Sequence, residues 1–299
     1  MTPDFSIVVP TYRRPDALHA CLTALAALDP SGPTHEVLVV DDGGTSVPDA
    51  VVEPFRGQLE LTVLRQPHAG PAAARNAGIR VARGRWIAFT DDDCTPAPGW
   101  LAGFARRLAD LPDHGVGGRT VNQFARSTFC TAQQLLVGYL SRVPRRGERT
   151  PGFFPSNNLA FPADALRALR GFDETFRFAA GEDRDLCNRW IASGRRLAEA
   201  PHAVVRHGHA LGFGDFCRLH HRYGRGARHF HRKVAQRAGT RVRLEPASFY
   251  TGLLLAPLGT APPWRAPQLC AALILSQVCH TTGWAAERWI ERRATRVRA

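Results

Sequence analysis

The chain carries carboxylates in three tight groups, Asp41-Asp42, Asp91-Asp92-Asp93 and Glu182-Asp183. Three adjacent aspartates repel one another unless a cation neutralises them. Hard divalent ions, Mg2+ or Mn2+, favour oxygen ligands and also bridge to diphosphate oxygens. An ion held there would offset the negative charge that grows on a departing nucleoside diphosphate. A lone Asp triplet reads as well as a solvated acidic turn; this one ends an apolar run in a basic chain, which favours the cation site. Asp41-Asp42, followed by Gly43, fits a simple Asp-Gly turn, or acceptors for a base N–H and ribose hydroxyls. Glu182-Asp183 follows Gly181 at a helix start, where acids cap the helix and complement its dipole; the same position suits a general base that takes a proton from an acceptor hydroxyl. His207 or His209 offers an imidazole to complete a metal shell, Arg75 a guanidinium for phosphate, and Asn76 support for the base-side loop.

The surrounding pattern says how these groups are positioned. Ile7-Val8-Val9-Pro10, Val37 to Val40, Leu61 to Leu64 and Trp86 to Phe89 are short apolar runs, too short for helices. Leu18, Cys21, Leu22, Leu25 and Leu28 recur at helical spacing, and Pro30, Gly32 and Pro33 end that helix. Gly70-Pro71 opens another, with proline in the first turn, where its missing N–H costs nothing. Strands alternating with helices predict a mainly parallel, doubly wound α/β sheet. Such sheets bind ligands outside the carboxyl ends of their strands, so Asp41, Asp42, Asp91, Asp92 and Asp93 are expected along one crevice. Further on, 153–161 reads as a loop entering a short strand, Asp183 opens a helix stopped by Gly194, and Ala203 to Val205 is a strand.

The 299 residues are ample for a core, and the formal charge is +13, carried by arginine but for Lys233. Arginine binds phosphate as a fork, although a GC-rich genome gives the same bias. A nucleic-acid partner is not expected, because five strand-end aspartates would repel phosphate without a metal. No G-x-G-x-x-G follows the first strand and no G-x-x-x-x-G-K-[ST] occurs, which counts against dinucleotide oxidoreductases and P-loop enzymes. The seven cysteines include no Cys-x-x-Cys pair, so a zinc site or disulfide framework is not indicated. With no signal-like segment before the first strand, the catalytic part is expected in the cytoplasm.

Four segments together resemble a known family: Ser6-Ile-Val-Val-Pro-Thr-Tyr-Arg-Arg-Pro15, Val39-Val-Asp-Asp-Gly43, Gly70-Pro-Ala-Ala-Ala-Arg-Asn-Ala-Gly78 and Phe89-Thr-Asp-Asp-Asp93. Their order and spacing are similar to family-2 glycosyltransferases of the GT-A fold. Asn157 to Phe161, Gly171-Phe-Asp-Glu174 and Gly181-Glu-Asp183 extend the match to about residues 4 to 210. The resemblance implies inverting transfer from a nucleotide sugar, often a UDP-sugar, with Mg2+ or Mn2+. It places Pro10, Thr11, Tyr12, Arg14, Asp41 and Asp42 around the nucleotide. Arg75, Asn76, Asp91 and Asp92 complete the donor site. Asp91 and Asp93 match the D-x-D pattern, with Asp93 favoured as the direct metal ligand and His207 beside it. Asp183 matches the catalytic base, and Asn157, Asn158 and Glu182 fall on the acceptor side. A noncatalytic nucleotide-sugar-binding or membrane-surface scaffold of the same fold is the alternative.

The catalytic domain is therefore expected over 1–210, with a basic, partly apolar, mostly helical appendage over 211–299. From His202 to Arg243 arginine and histidine are dense and Asp215 is the one acid. Arg218, Arg222, Arg225 and Arg228 are placed to meet a diphosphate or a lipid-phosphate acceptor. The apolar stretches 253–258 and 269–278, separated by Pro262-Pro263, are too short to span a bilayer. Two readings stand: contact with the inner face of a membrane, or a helical cap on the catalytic domain. The acceptor, a lipid-linked group or a polysaccharide among the options, is not legible.

Overall fold

A computed structural model describes residues 2–44, 49–142, 151–240 and 246–298. In chain order the elements are β1 (Phe5–Thr11), α1 (Pro15–Ala26), β2 (His35–Asp41), α2 (Asp49–Val52), β3 (Leu61–Arg65), α3 (Pro71–Val81), β4 (Trp86–Phe89), β5 (Cys94–Pro96), α4 (Trp100–Asp110), β6 (Gly115–Asn122), α5 (Thr128–Arg142), β7 (Leu159–Pro162), α6 (Ala163–Ala168), α7 (Glu182–Ala192), β8 (Leu197–His207), α8 (Phe213–Ala238), α9 (Ala247–Thr260) and α10 (Ala266–Arg298). Eight strands form one sheet in the order β3-β2-β1-β4-β7-β6-β8-β5. The first four are mutually parallel, as their alternation with helices requires. Beyond β4 the sheet is mixed: β7 runs antiparallel to β4 and β6, while β6 and β8 are parallel.

Side-chain alternation explains why both faces of this sheet are covered. Phe5, Ile7, Val9, Val37 and Val39 point toward α1 and α4, packing with Leu18, Leu22, Leu25, Trp100 and Phe104. The intervening Val8, Leu38 and Val40 point to the other layer, with Ile79 of α3, Leu166 of α6 and Trp190 of α7. This two-residue period leaves nearly every side chain of β1 and β2 buried, the mark of a parallel sheet sandwiched by helices. A glycine brings α4 against β8: a Cβ at Gly103 would lie 2.4 Å from the Ala203 nitrogen.

Strand register positions the chemistry. Thr11 of β1, Asp41 of β2 and Arg65 of β3 lie level with one another. β1, β2 and β3 therefore stop together, while β4 stops earlier at Phe89, opposite Val8, and the residues that follow share one edge. At the far side, β5 pairs antiparallel with β8 so that Cys94 lies opposite His207.

The C-terminal helices build a separate layer around Leu136 of α5, Phe216 of α8, Leu253 of α9 and Leu273 of α10. The two long helices touch backbone to backbone. A Cβ on Gly224 would lie 1.9 Å from the His280 carbonyl, and one on Gly283 would lie 1.9 Å from that of His221. Alongside, Arg225 Nε lies 2.8 Å from Glu287 and Arg228 Nη2 lies 2.9 Å from Glu291. The second apolar stretch, expected to be short, belongs to a continuous helix. Over Ala266–Arg293 it is long and apolar enough to cross a membrane, by length and composition only. Leu28 falls just beyond the end of α1 rather than within it.

Candidate active site

The three Asp91–Asp93 carboxylates separate on leaving β4. Asp92 turns inward and is fully buried; it accepts a hydrogen bond from Thr11 Oγ1 at 2.8 Å, and Arg14 Nη2 stands 2.7 Å away. Burial, only partly offset by Arg14, pushes its carboxyl up to about 7. Asp91 and Asp93 instead face a cavity of about 660 Å3. Asp93 accepts a hydrogen bond from Arg14 Nη1 at 2.7 Å, and its other oxygen lies 3.3 Å from His207 Nε2. His209 Nδ1 stands 4.0 Å from the same carboxylate. Although burial opposes it, Asp93 is held well below the usual carboxylate range by His207 and Arg14.

Arg75, on α3, is the other bridge. Its side chain is buried, with Nη2 2.7 Å from Asp91 and Nη1 3.1 Å from Glu182, and its guanidinium lies 5.4 Å from the Phe172 ring centre. It joins the end of β4 to the start of α7. Glu182 is buried as well, with one oxygen lacking a hydrogen-bond partner, and burial together with the neighbouring Asp183 lifts its carboxyl to about 7. Asp183 is half-buried on the cavity wall; its carboxylate accepts from the Arg184 backbone N–H at 2.7 Å. Burial raises its pKa despite that bond and the nearby arginines. Gly181 precedes the helix at φ 92°, a left-handed conformation that glycine adopts without strain.

The nucleotide-side residues divide between framework and crevice. Asp42 is buried and fastens the loop before α3, accepting from the Ala69 and Gly70 N–H groups at 2.9 Å each and from Gln66 at 2.6 Å. The His68 ring lies 2.8 Å from it and stacks on Tyr12 at 4.2 Å between centroids. Asp41 accepts from the Gly43 N–H, and Pro10 lies in β1 beside Val40 of β2. Asn76 is absorbed by the 171–174 turn: its amide donates to the Phe172 carbonyl and Glu174, and accepts from the Phe172 N–H. Asn158 likewise serves the core, between Trp100 Nε1 and the Ala203 carbonyl, while Asn157 lines the cavity and accepts from Thr120. Of the four basic-helix arginines, Arg222 lines the cavity, Arg218 pairs with Asp215, and Arg225 and Arg228 are taken by α10. Tyr12–His68 stacking and the Arg75 bridge carried no signal in the sequence, since each depends on contacts between separate elements.

Asp93, Cys94 and His207 place potential ligand atoms within 4.8 Å of one another. Burial pushes the Cys94 thiol well above its ordinary range, so it stays protonated and is a poor ligand for a hard ion. A carboxylate and an imidazole with the remaining positions open to phosphate oxygen and water fit Mn2+ or Mg2+.

Residues 6–172 match the family model described as glycosyl transferase family 2. The chain belongs to that family. It is 32% identical over 230 residues to the pre-mycofactocin glycosyltransferase of Mycobacterium tuberculosis (strain CDC 1551 / Oshkosh), covering 75% of this chain and 47% of that protein. It is 33% identical over 216 residues to the succinoglycan biosynthesis protein ExoO of Rhizobium meliloti (strain 1021), covering 67% and 59%. The chain thus spans about half the length of the curated relatives it matches. The fold is that of S. aureus TarS 1-349 in complex with UDP-GlcNAc (TM-score 0.59, 16% identity, 97% of this chain and 92% of that one). It is also that of mannosyltransferase PcManGT from Pyrobaculum calidifontis in complex with GDP-Man and Mn2+ (TM-score 0.60, 21% identity, 98% and 81%).

Removing one partner of a buried ion pair leaves the other charge stranded, at a cost of about 3–5 kcal/mol. Arg75→Met should therefore lower stability by that order in chemical denaturation. Adding Glu182→Gln should recover part of the loss. Equal stabilities for Arg75→Met and the parent chain would show that the bridge is not structural.

Proposed function

We propose that this glycosyltransferase-family chain is an inverting enzyme that moves a sugar from a nucleoside-diphosphate sugar, a UDP-sugar by preference, to an acceptor hydroxyl. The observation that carries the reading is the convergence of Asp91, Asp93 and Asp183 on one cavity from two distant parts of the chain. Tyr12 and His68 offer a flat shelf for the base beside Asp42. Asp93 and His207 would hold the divalent ion, which, when bound, supplies positive charge to the diphosphate oxygens of the leaving group. Arg75 keeps Asp91 and the start of α7 in fixed relation, so donor and base are preoriented.

Asp183 then takes the proton from the acceptor hydroxyl as that oxygen attacks the anomeric carbon. The bond to the diphosphate oxygen breaks on the opposite face, giving a single in-line displacement with inversion. Asp183 must be ionised to act. Because burial raises its pKa, activity should fall as pH drops through a value above the ordinary aspartate range of about 4. The kcat/KM profile of the parent chain should show that displaced acid limb, and Asp183→Asn should lose on the order of 100-fold or more in turnover while still binding donor. Turnover by Asp183→Asn at the parent rate would favour the noncatalytic alternative.

For the partner surface, we read α9 and the outer face of α10 as resting on the inner face of a membrane. Leu255, Leu258, Trp264, Ile274 and Val278 are exposed. Between Ala247 and Ala286 the one Asp, Glu, Lys or Arg is Arg265, and it is tied to the carbonyls of Ala125 and Arg126. The acids of α10 face α8, whereas Arg293 lies 3.7 Å over the exposed Trp289 ring. Apolar side chains bordered by arginine suit an anionic interface. The chain should sediment with phosphatidylglycerol vesicles and lose most of that binding in Leu258→Asp with Trp264→Asp. Sedimentation unchanged by the double substitution would contradict the assignment.

A further inference from the structure

The cavity does not end at the donor crevice. Past Asp183 it continues between α5, α8 and α9, where Leu136, Val137, Leu140, Phe249 and Leu253 line it. No Asp, Glu, Lys or Arg of α5, α9 or α10 is among its described lining residues. This follows from sequence: α9 has no charged residue, and α5 has none before its terminal Arg142. The vestibule is therefore uncharged on its α5 and α9 sides, while α8 contributes Arg222 and the crevice it joins is lined by Arg14, Arg75, Asp91 and Asp93.

Its walls are built rather than loosely apposed. Tyr139 OH donates to the Phe249 carbonyl at 3.0 Å, and the two rings meet edge to face at 5.4 Å, fixing α5 to α9. Gln133 Nε2 donates to Tyr223 OH at 3.0 Å, fixing α5 to α8. At Gly138 the wall is recessed: a Cβ added there would have no atom within 4 Å, although the residue lines the cavity. His280, also on the wall, is kept neutral by burial, which lowers its pKa to about 4. The α5 and α9 walls of such a chamber favour apolar groups over charged ones, which would lose hydration there without a partner.

We propose that this vestibule is the acceptor subsite and that the acceptor is amphiphilic: a hydroxyl-bearing polar head at Asp183, attached to an apolar body that occupies the space beside Gly138. The inference rests on the functional reading given above, which supplies the donor end. It adds the chemical class of the acceptor. An alkyl chain and an aromatic group share the chemistry required, and both fit walls of aliphatic and aromatic side chains.

Saturation-transfer NMR on the full chain with UDP and diamagnetic Mg2+ tests it, using octyl β-glucoside below its micelle concentration, phenyl β-glucoside and glucose as probes. Octyl or phenyl glucoside should bind on the order of tenfold or more tightly than glucose, since each buried methylene or ring carbon favours the apolar site. A preference for octyl identifies an alkyl body, and one for phenyl an aromatic body. Gly138→Trp should fill the recess and abolish this advantage. Gly138→Gln, a smaller polar change that a helix accommodates well, should weaken it in the same direction. Three probes bound alike, or an advantage unaffected by both variants, would overturn the proposal. Failure of the donor reading is separately visible, as absence of UDP signals in the parent chain while the glucoside preference persists.

Discussion

The structure depends on neutralising acids that the sheet forces together. β1 and β2 end level at Thr11 and Asp41, β4 ends earlier at Phe89 opposite Val8, and the residues that follow bring Asp41, Asp42, Asp91, Asp92 and Asp93 to one edge, to which the start of α7 adds Glu182 and Asp183. At close range in a partly dry site, that repulsion would open the edge or protonate the acids. Two arginines offset part of it, with the pKa values of Asp92 and Glu182 still raised to about 7. Arg14 spans Asp92 and Asp93, and Arg75 spans Asp91 and Glu182. Arg75 is itself costly to bury, whereas Arg14 is half exposed at the mouth of the crevice. Buried ion pairs of this sort are weak evidence for stability as such; here they set the geometry of the crevice.

The same bridges divide the acids by task. Asp92 and Asp42 are spent on framework, one holding β1 to the loop after β4 and the other shaping the backbone before α3. Asp91, Asp93 and Asp183 remain on the cavity wall. A run of three aspartates thus supplies two outward groups and one anchor, because the chain turns there, with the Cys94 N–H donating to the Asp91 carbonyl at 3.1 Å, and only Asp92 is directed at Thr11. In this chain the middle residue, Asp92, faces the core.

Much of this was legible in the sequence because the N-terminal half is periodic. The apolar runs ending at Asp41 and near Asp91 fix the strands, and the Gly70-Pro71 start fixes α3. What could not be read were contacts between elements distant in sequence. His207 beside Asp93 was expected only through the family resemblance; its physical cause, the antiparallel pairing of β5 with β8, is one that three residues of β5 do not announce. Arg75 was expected at a phosphate, and its placement between two carboxylates depends on where α7 lands. Asn158 belongs to the core through Trp100 and Ala203. In the C-terminal region composition indicated basic and apolar helices, but the pairing of α8 with α10 at Gly224 and Gly283 turned half of the expected phosphate-binding arginines inward. The uncharged wall formed by α5 and α9 adds a chamber to the donor crevice.

The central claim is that the strand-end carboxylates form a metal-dependent site for a nucleoside diphosphate. Titration calorimetry of UDP and GDP into the folded chain, with Mn2+ and with chelator, tests it most directly. Heat of binding with UDP in Mn2+ is expected, lost with chelator and lost in an Asp93→Ala chain that still unfolds cooperatively. Equal binding of either nucleotide with and without the ion, or full binding by Asp93→Ala, would contradict it.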